Sequence, residues 1–209
     1  VYEMVKKNQE EAAQAERFEI ELALEKKQQE IFEAEAKAQE GAKTPQLPVR
    51  NPEVLQAQLG EPLGRLEAFV KENRSTVAGF LAAMTASDLY LEYKAPAKAA
   101  EILETVRTEA AKKNVFYGLI QSQLGLAYSN AGACDKAIEV YDQLLDVSAQ
   151  KHLFGQTLVR KGACLIELQK YDEAAGVLRT ARTEYPESSA AQTAESFERL
   201  IKIKKGRGE

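Results

Sequence analysis

Two thiols and one imidazole are the side chains of this chain with the readiest chemistry, and their spacing limits what they can do. Cys134 and Cys164 each follow Gly-Ala. Neither belongs to a Cys-x-x-Cys pair, and two cysteines alone do not complete a tetrahedral zinc site. In the helical register developed below they lie on different levels of adjacent helices, which permits a disulfide without favouring one. Small residues at packed positions describe them more simply. His152 is the sole histidine. It falls in a connection, with no second imidazole to share a metal or relay a proton, and reads as a surface polar residue. No glycine-rich phosphate loop, nucleophile elbow or paired-acid site stands out. The expectation is therefore a non-enzymatic chain with no metal, no cofactor and no small-molecule substrate. The chemistry left to it is recognition of another protein, by side chains that regular elements must hold in place.

Those elements repeat. Leu124-Gly125-x-x-Tyr128 is followed by Ala137 and Tyr141. Gly162-x-x-Leu165, with Ala174 and Leu178, restates the pattern 37 residues on; Ser87-x-x-Tyr90, with Ala99 and Leu103, precedes it by 38. A small residue lets one helix approach another, and the large residues are expected to fill the gap between units. Short turns join the helices at Lys94-Ala95-Pro96, Asn130-Ala131-Gly132 and Gln169-Lys170. This pattern resembles the tetratricopeptide repeat, a helix–turn–helix unit with a period near 34 residues. The surplus residues fall near 111–115 and 149–152, implying either longer second helices or wider connections. Such repeats stack into solenoids that bind partners.

The rest of the chain fits an all-α reading: 209 residues, 44% hydrophobic and 29% charged, with no Trp. Ala, Glu, Gln, Leu and Lys favour helix, and alternating β-branched runs are absent. A net charge of −4 argues against nucleic-acid binding, and no run of about 18 apolar residues could span a membrane. Residues 1–41 read as a polar helical arm in which Glu outnumbers Lys plus Arg by eleven to six. Two thin apolar stripes run along it, Ile20, Leu24, Ile31 and Phe18, Leu22, Phe32. The arm must therefore lie on the repeats, pair with another chain or stay solvated. Residues 42–53 form a Pro-rich linker through Thr44-Pro45, Leu47-Pro48 and Asn51-Pro52. Residues 54–209 form the solenoid. It opens with a degenerate half-repeat over 54–73, in which Glu61-Pro62 is read as a fresh helix start. Three repeats follow, then a capping helix over 188–205 with Ser188 or Ser189 as N-cap. Lys202, Lys204, Lys205 and Arg207 form a basic tail suited to the end of a helix.

The stretch from Phe69 to Thr76, the Ala-rich helix from Phe80 to Tyr93 and Pro96-Ala97-Lys98-Ala99-Ala100-Glu101-Ile102-Leu103 together resemble YfgM-type proteins, ancillary subunits of the bacterial Sec translocon. The resemblance covers roughly residues 54–180. It implies a periplasmic repeat domain anchored to the inner membrane by a segment absent from this chain, with translocon subunits and a periplasmic chaperone as partners. The Glu-rich helix, the Pro-rich linker and Tyr185-Pro186-Glu187-Ser188 look more like Tol-Pal-type envelope-coordination proteins, which join a coiled-coil arm to similar repeats.

In that register the first helices line a concave groove. Its expected partner-binding residues are Leu81, Met84 and Asp88 in the first repeat; Leu119, Gln123, Leu126 and Asn130 in the second; and Gln156, Val159 and Arg160 in the third. Met84, Leu119, Leu126 and Val159 serve as apolar anchors and Arg160 selects charge. The mixture suits an amphipathic helix or an extended apolar segment. The chain's own helices could fill the groove instead, and self-association through the N-terminal helix is the alternative role for the arm.

Overall fold

The computed structural model describes residues 2–40, 47–112 and 114–206. Thr44-Pro45 and Arg207 lie outside them. Among the described residues the regular structure is helical: α1 (Tyr2–Gln39), α2 (Pro52–Glu72), α3 (Val77–Glu92), α4 (Pro96–Arg107), α5 (Val115–Asn130), α6 (Cys134–Leu145), α7 (Phe154–Glu167), α8 (Tyr171–Glu184) and α9 (Ser189–Gly206). A 3₁₀ turn, Ser148–Leu153, precedes α7. The helices form two compact units, Val1–Ala110 and Ala111–Glu209.

The repeat is written into the turns. Lys94, Gly132 and Gln169, spaced as the repeats are, have φ of 57°, 74° and 58°. Each left-handed residue lets the next amide reach back over the helix end: Ala95 N–H to Tyr90 O (2.7 Å), Ala133 N–H to Tyr128 O (2.9 Å) and Lys170 N–H to Leu165 O (2.9 Å). This is the Schellman closure that satisfies the last carbonyls of a helix. Glycine adopts the conformation freely at 132, whereas Lys94 and Gln169 hold it at about 1–2 kcal/mol each.

Small residues then set the helix spacing. A Cβ on Gly125 would stand 2.2 Å from Tyr141 Cε1, and one on Gly162 would stand 2.7 Å from Leu178 Cδ2. Ser87, their counterpart, is fully buried. Tyr141 and Leu178 thus press on the first helix of their own repeat. They also face the next helical pair, as expected: Tyr141 shares a buried cluster with Cys164 of α7, and Leu178 shares one with Ala190, Ala194 and Ile201 of α9. The surplus residues sit in the connections: α4 and α6 are 12 residues each. Buried Gln150, in the 3₁₀ turn, donates its side-chain amide to Lys112 O (3.2 Å) and Asn114 O (2.9 Å), tying one insertion to the other.

In the first unit α1 packs on α2 and α3, as α5 packs on α6 and α7 and as α7 packs on α8 and α9. The half-repeat is therefore a full helical pair, with α1 as its first helix. Two stripes on α1 meet different fates. Ile20 and Leu24 are buried and Ile31 is half-buried, while Phe18, Leu22 and Phe32 remain 64%, 54% and 65% exposed. The Glu10 carboxylate accepts from Val77 N and Ala78 N (3.0 Å each), supplementing the Thr76 cap of α3. Pro62 starts no helix. It lies inside α2, whose buried face runs unbroken through Leu55, Leu59, Leu63, Leu66 and Phe69 on both sides of it. Continuous burial outweighs the one hydrogen bond that proline removes. The helix start is at Asn51, whose Oδ1 accepts from Val54 N at 2.8 Å.

Candidate interaction surface

Within the second unit, α5 and α7 pack on each other and bring one set of expected residues together. Leu119, Gln123 and Leu126 are half-buried on α5, and Asn130 is exposed at its end. Leu119, Gln123 and Leu126 recur at helical spacing and share a face. Arg160 reaches from α7 to that face, donating through Nη1 to the carbonyl (3.1 Å) and Oγ (2.9 Å) of Ser122. Its charge is thereby fixed in place beside the leucines. Gln156, one turn earlier on α7, is exposed. Val159 is not an anchor: it is 2% exposed, within a core shared with Leu178 of α8 and Ala190, Ala194 and Ile201 of α9. The cause is α9, which covers α7.

Within the first unit Leu81 and Met84 are half-buried on α3, and Asp88 is exposed at its surface. Met84 and Asp88 each engage a neighbour. Thr85, between them, donates to Glu21 Oε1 of α1 at 3.1 Å. The exposed face of α3 is thus flanked, within the first unit, by the chain's own first helix.

Arg50 is the residue that sequence reading missed. It lies between two prolines, in a stretch without regular structure, yet it gathers three partners. Nη1 and Nη2 donate to the two Glu35 oxygens (2.6 and 2.9 Å), Nε donates to Glu92 Oε1 (3.2 Å), and the guanidinium sits 5.2 Å from the Tyr93 ring centroid. The hydrogen-bonded pair with Arg50 holds the Glu35 carboxyl below the usual carboxylate range. This paired fork with an aromatic face is a use of arginine that lysine cannot copy. It joins the end of α1 to the end of α3. The only sequence signal for it was an isolated cation in the Pro-rich stretch.

The thiols have a structural setting. Cys134 and Cys164 are free and buried, in one cluster with Ala137 and Tyr141. Cys164 also lies 3.3 Å from Ser129 Oγ, to which its thiol donates. Burial, then a hydrogen bond with Cys164, pushes the Cys134 thiol up to about 12. Such a thiol is a poor nucleophile at neutral pH. His152 is exposed in the 3₁₀ turn. Among the described residues no group of His, Cys, Asp and Glu is arranged to hold a metal ion, and no helix is long and apolar enough to cross a membrane.

Residues 156–188 match the tetratricopeptide repeat family model. This span holds most of α7, the turn at Gln169 and α8. Two crystal structures of nearly identical TPR-like repeats from a candidate kinesin light chain of Podosopora anserina, one a point variant of the other, superpose with TM-scores of 0.58 and 0.57. Each is 16% identical, and the match covers 74% of this chain and 83% of that one. The fold is tetratricopeptide-like. A likeness at this identity speaks for the architecture alone. Comparison with curated proteins finds no match. The TPR-like repeats support a protein–protein interaction scaffold.

Proposed function

We propose that this chain is a non-enzymatic scaffold of the bacterial envelope that holds a helical or extended partner segment against the first helices of its TPR-like repeats. The observation that carries the reading is the α5 strip in the second unit: Leu119 and Leu126 half-exposed about Gln123, with Arg160 held on the same face by Ser122. Two leucines two turns apart suit the apolar side of an amphipathic segment, and a fixed arginine beside them selects for a carboxylate in that segment. The envelope setting, with Sec translocon subunits and a periplasmic chaperone as partners, follows from the resemblance to YfgM-type proteins. Affinity capture from bacterial envelope membranes tests both parts. The intact chain should recover translocon subunits and the chaperone, and Leu119→Asp with Leu126→Asp should lose them while keeping its helical melting transition. Equal capture by the variant would refute the strip as the site. Recovery of Tol-Pal components alone would move the chain to the envelope-coordination alternative.

A second reading is self-assembly through the arm. It is favoured by the exposed Phe18, Leu22 and Phe32 on α1, an apolar stripe of a kind that marks association surfaces. Sedimentation of the intact chain and of Phe18→Glu with Leu22→Glu decides it. An oligomer that dissociates on substitution supports self-assembly, and a monomer throughout excludes it.

A further inference from the structure

Between α8 and α9, away from the α5 strip, lies a cleft of about 330 Å³ whose lining has the opposite sign to the chain as a whole. Arg179 and Arg182 stand one turn apart on α8, and Lys202 and Lys205 one turn apart on α9. The two pairs line one cleft together with Glu198, over half-buried Ala175 and buried Ile201. Two of the four cations are already engaged: Arg182 Nε meets Glu198 at 3.4 Å, and Lys205 meets Asp172. Arg179 and Lys202 have no ion-pair partner among the described residues, one on each wall. A helix end is often basic simply to oppose its dipole. That accounts for Lys204 and Lys205 in the last turn of α9 but not for Arg179 in the middle of α8.

We propose that the α8–α9 cleft is a docking site for an acidic peptide segment of a partner protein, in which carboxylates flank an apolar side chain. The carboxylates meet Arg179 and Lys202, and the apolar side chain lies against half-buried Ala175, with buried Ile201 beneath it. The cations converge on a concavity with an apolar floor, which fits a peptide better than the flat face of a bilayer. Charge complementarity of this kind governs rate and selectivity, and falls as salt screens it. The site is independent of the α5 strip.

The probe is a short fluorescein-labelled peptide of repeated Glu-Leu-Glu units, with binding to the full chain followed by anisotropy at low and physiological salt. The intact chain should bind it in a salt-sensitive manner. Arg179→Glu with Lys202→Glu should weaken binding by about tenfold or more with an unchanged melting curve, because neither side chain holds an internal ion pair. Leu119→Asp with Leu126→Asp should bind the peptide as the intact chain does, which separates this site from the strip. Failure of the intact chain to bind, or equal binding by the doubly reversed variant, would overturn the proposal. So would binding of phosphatidylglycerol vesicles or inorganic phosphate in place of the peptide, with the same dependence on Arg179 and Lys202.

Discussion

Replacing Gly125 by Ala tests the repeat packing most directly. The added methyl would lie 2.2 Å from Tyr141 Cε1 and 2.7 Å from its Cδ1 and Cζ. Carbons rest comfortably at about 3.5–4.0 Å, so the ring must retreat by roughly 1.5 Å. It has little room to do so, since Tyr141 is fully buried and enclosed with Cys134, Ala137 and Cys164. Overpacking of this kind costs about 1–3 kcal/mol. Ala in place of Gly inside a helix returns about 1 kcal/mol. A ring without an exit places the clash high in its range, so the net loss should be about 1–2 kcal/mol. Gly176, in α8, supplies the control: nothing lies within 4 Å of its added Cβ. Ala there should stabilise by about 0.5–1 kcal/mol. Urea unfolding followed by far-UV circular dichroism reads both. Gly125→Ala with Tyr141→Leu should cost less than the two single changes summed, because the smaller side chain makes room for the methyl. The reasoning fails if Gly125→Ala proves as stable as the parent while Gly176→Ala gains as expected.

Two further outcomes follow from ionisable groups. Arg50→Ala should cost about 1–2 kcal/mol and raise amide exchange in the second half of α1, since charge-assisted bonds to Glu35 and Glu92 are lost together. Because Arg50 depresses the Glu35 carboxyl from its ordinary 4.5, the stability this pair provides is complete above that value and is lost as pH falls through the lower folded value. The gap between parent and Arg50→Ala should therefore narrow in acid, and a constant gap would count against the pairing. Cys134 behaves in the opposite sense. With its thiol raised from 9.0 to about 12, its contribution is complete below 9.0 and declines as pH rises towards 12. In the folded chain it should resist an aromatic disulfide reagent at mildly alkaline pH and react only on unfolding; prompt native labelling would contradict its burial.

What was legible in the sequence was what depends on local spacing. Gly125 with Tyr141, and Gly162 with Leu178, sit at fixed separations because one turn geometry recurs, so the pattern survives in a single sequence. Pro62 misled because a proline read locally is a boundary, whereas the apolar face running through it is decided by burial along all of α2. Val159 misled because its register marks a groove position, and only the packing of α9 onto α7 reveals that it is covered. Arg50 was invisible for a related reason: its three partners come from α1 and from the end of α3, with no short-range pattern to announce them. The α1 stripes were readable as stripes. Which one would be buried depended on α3, to which Glu10 and Glu21 are bonded.

The amide of Gln150 makes the length of these repeats a joint property. One insertion supplies the donor, the other supplies both acceptors, and a Cβ on Gly118 would stand only 2.3 Å from the Gln150 oxygen. Trimming the loop around Gln150 to the usual repeat length would take its amide from both carbonyls, leaving Asn114 O to Tyr117 N (3.1 Å), and trimming that connection would strand the amide. Filling position 118 would force the Gln150 side chain to shift from its place. Anyone grafting these repeats into a designed array must therefore move both insertions and position 118 as one cassette, even though Gln150 lies 36 residues from Asn114 in the chain.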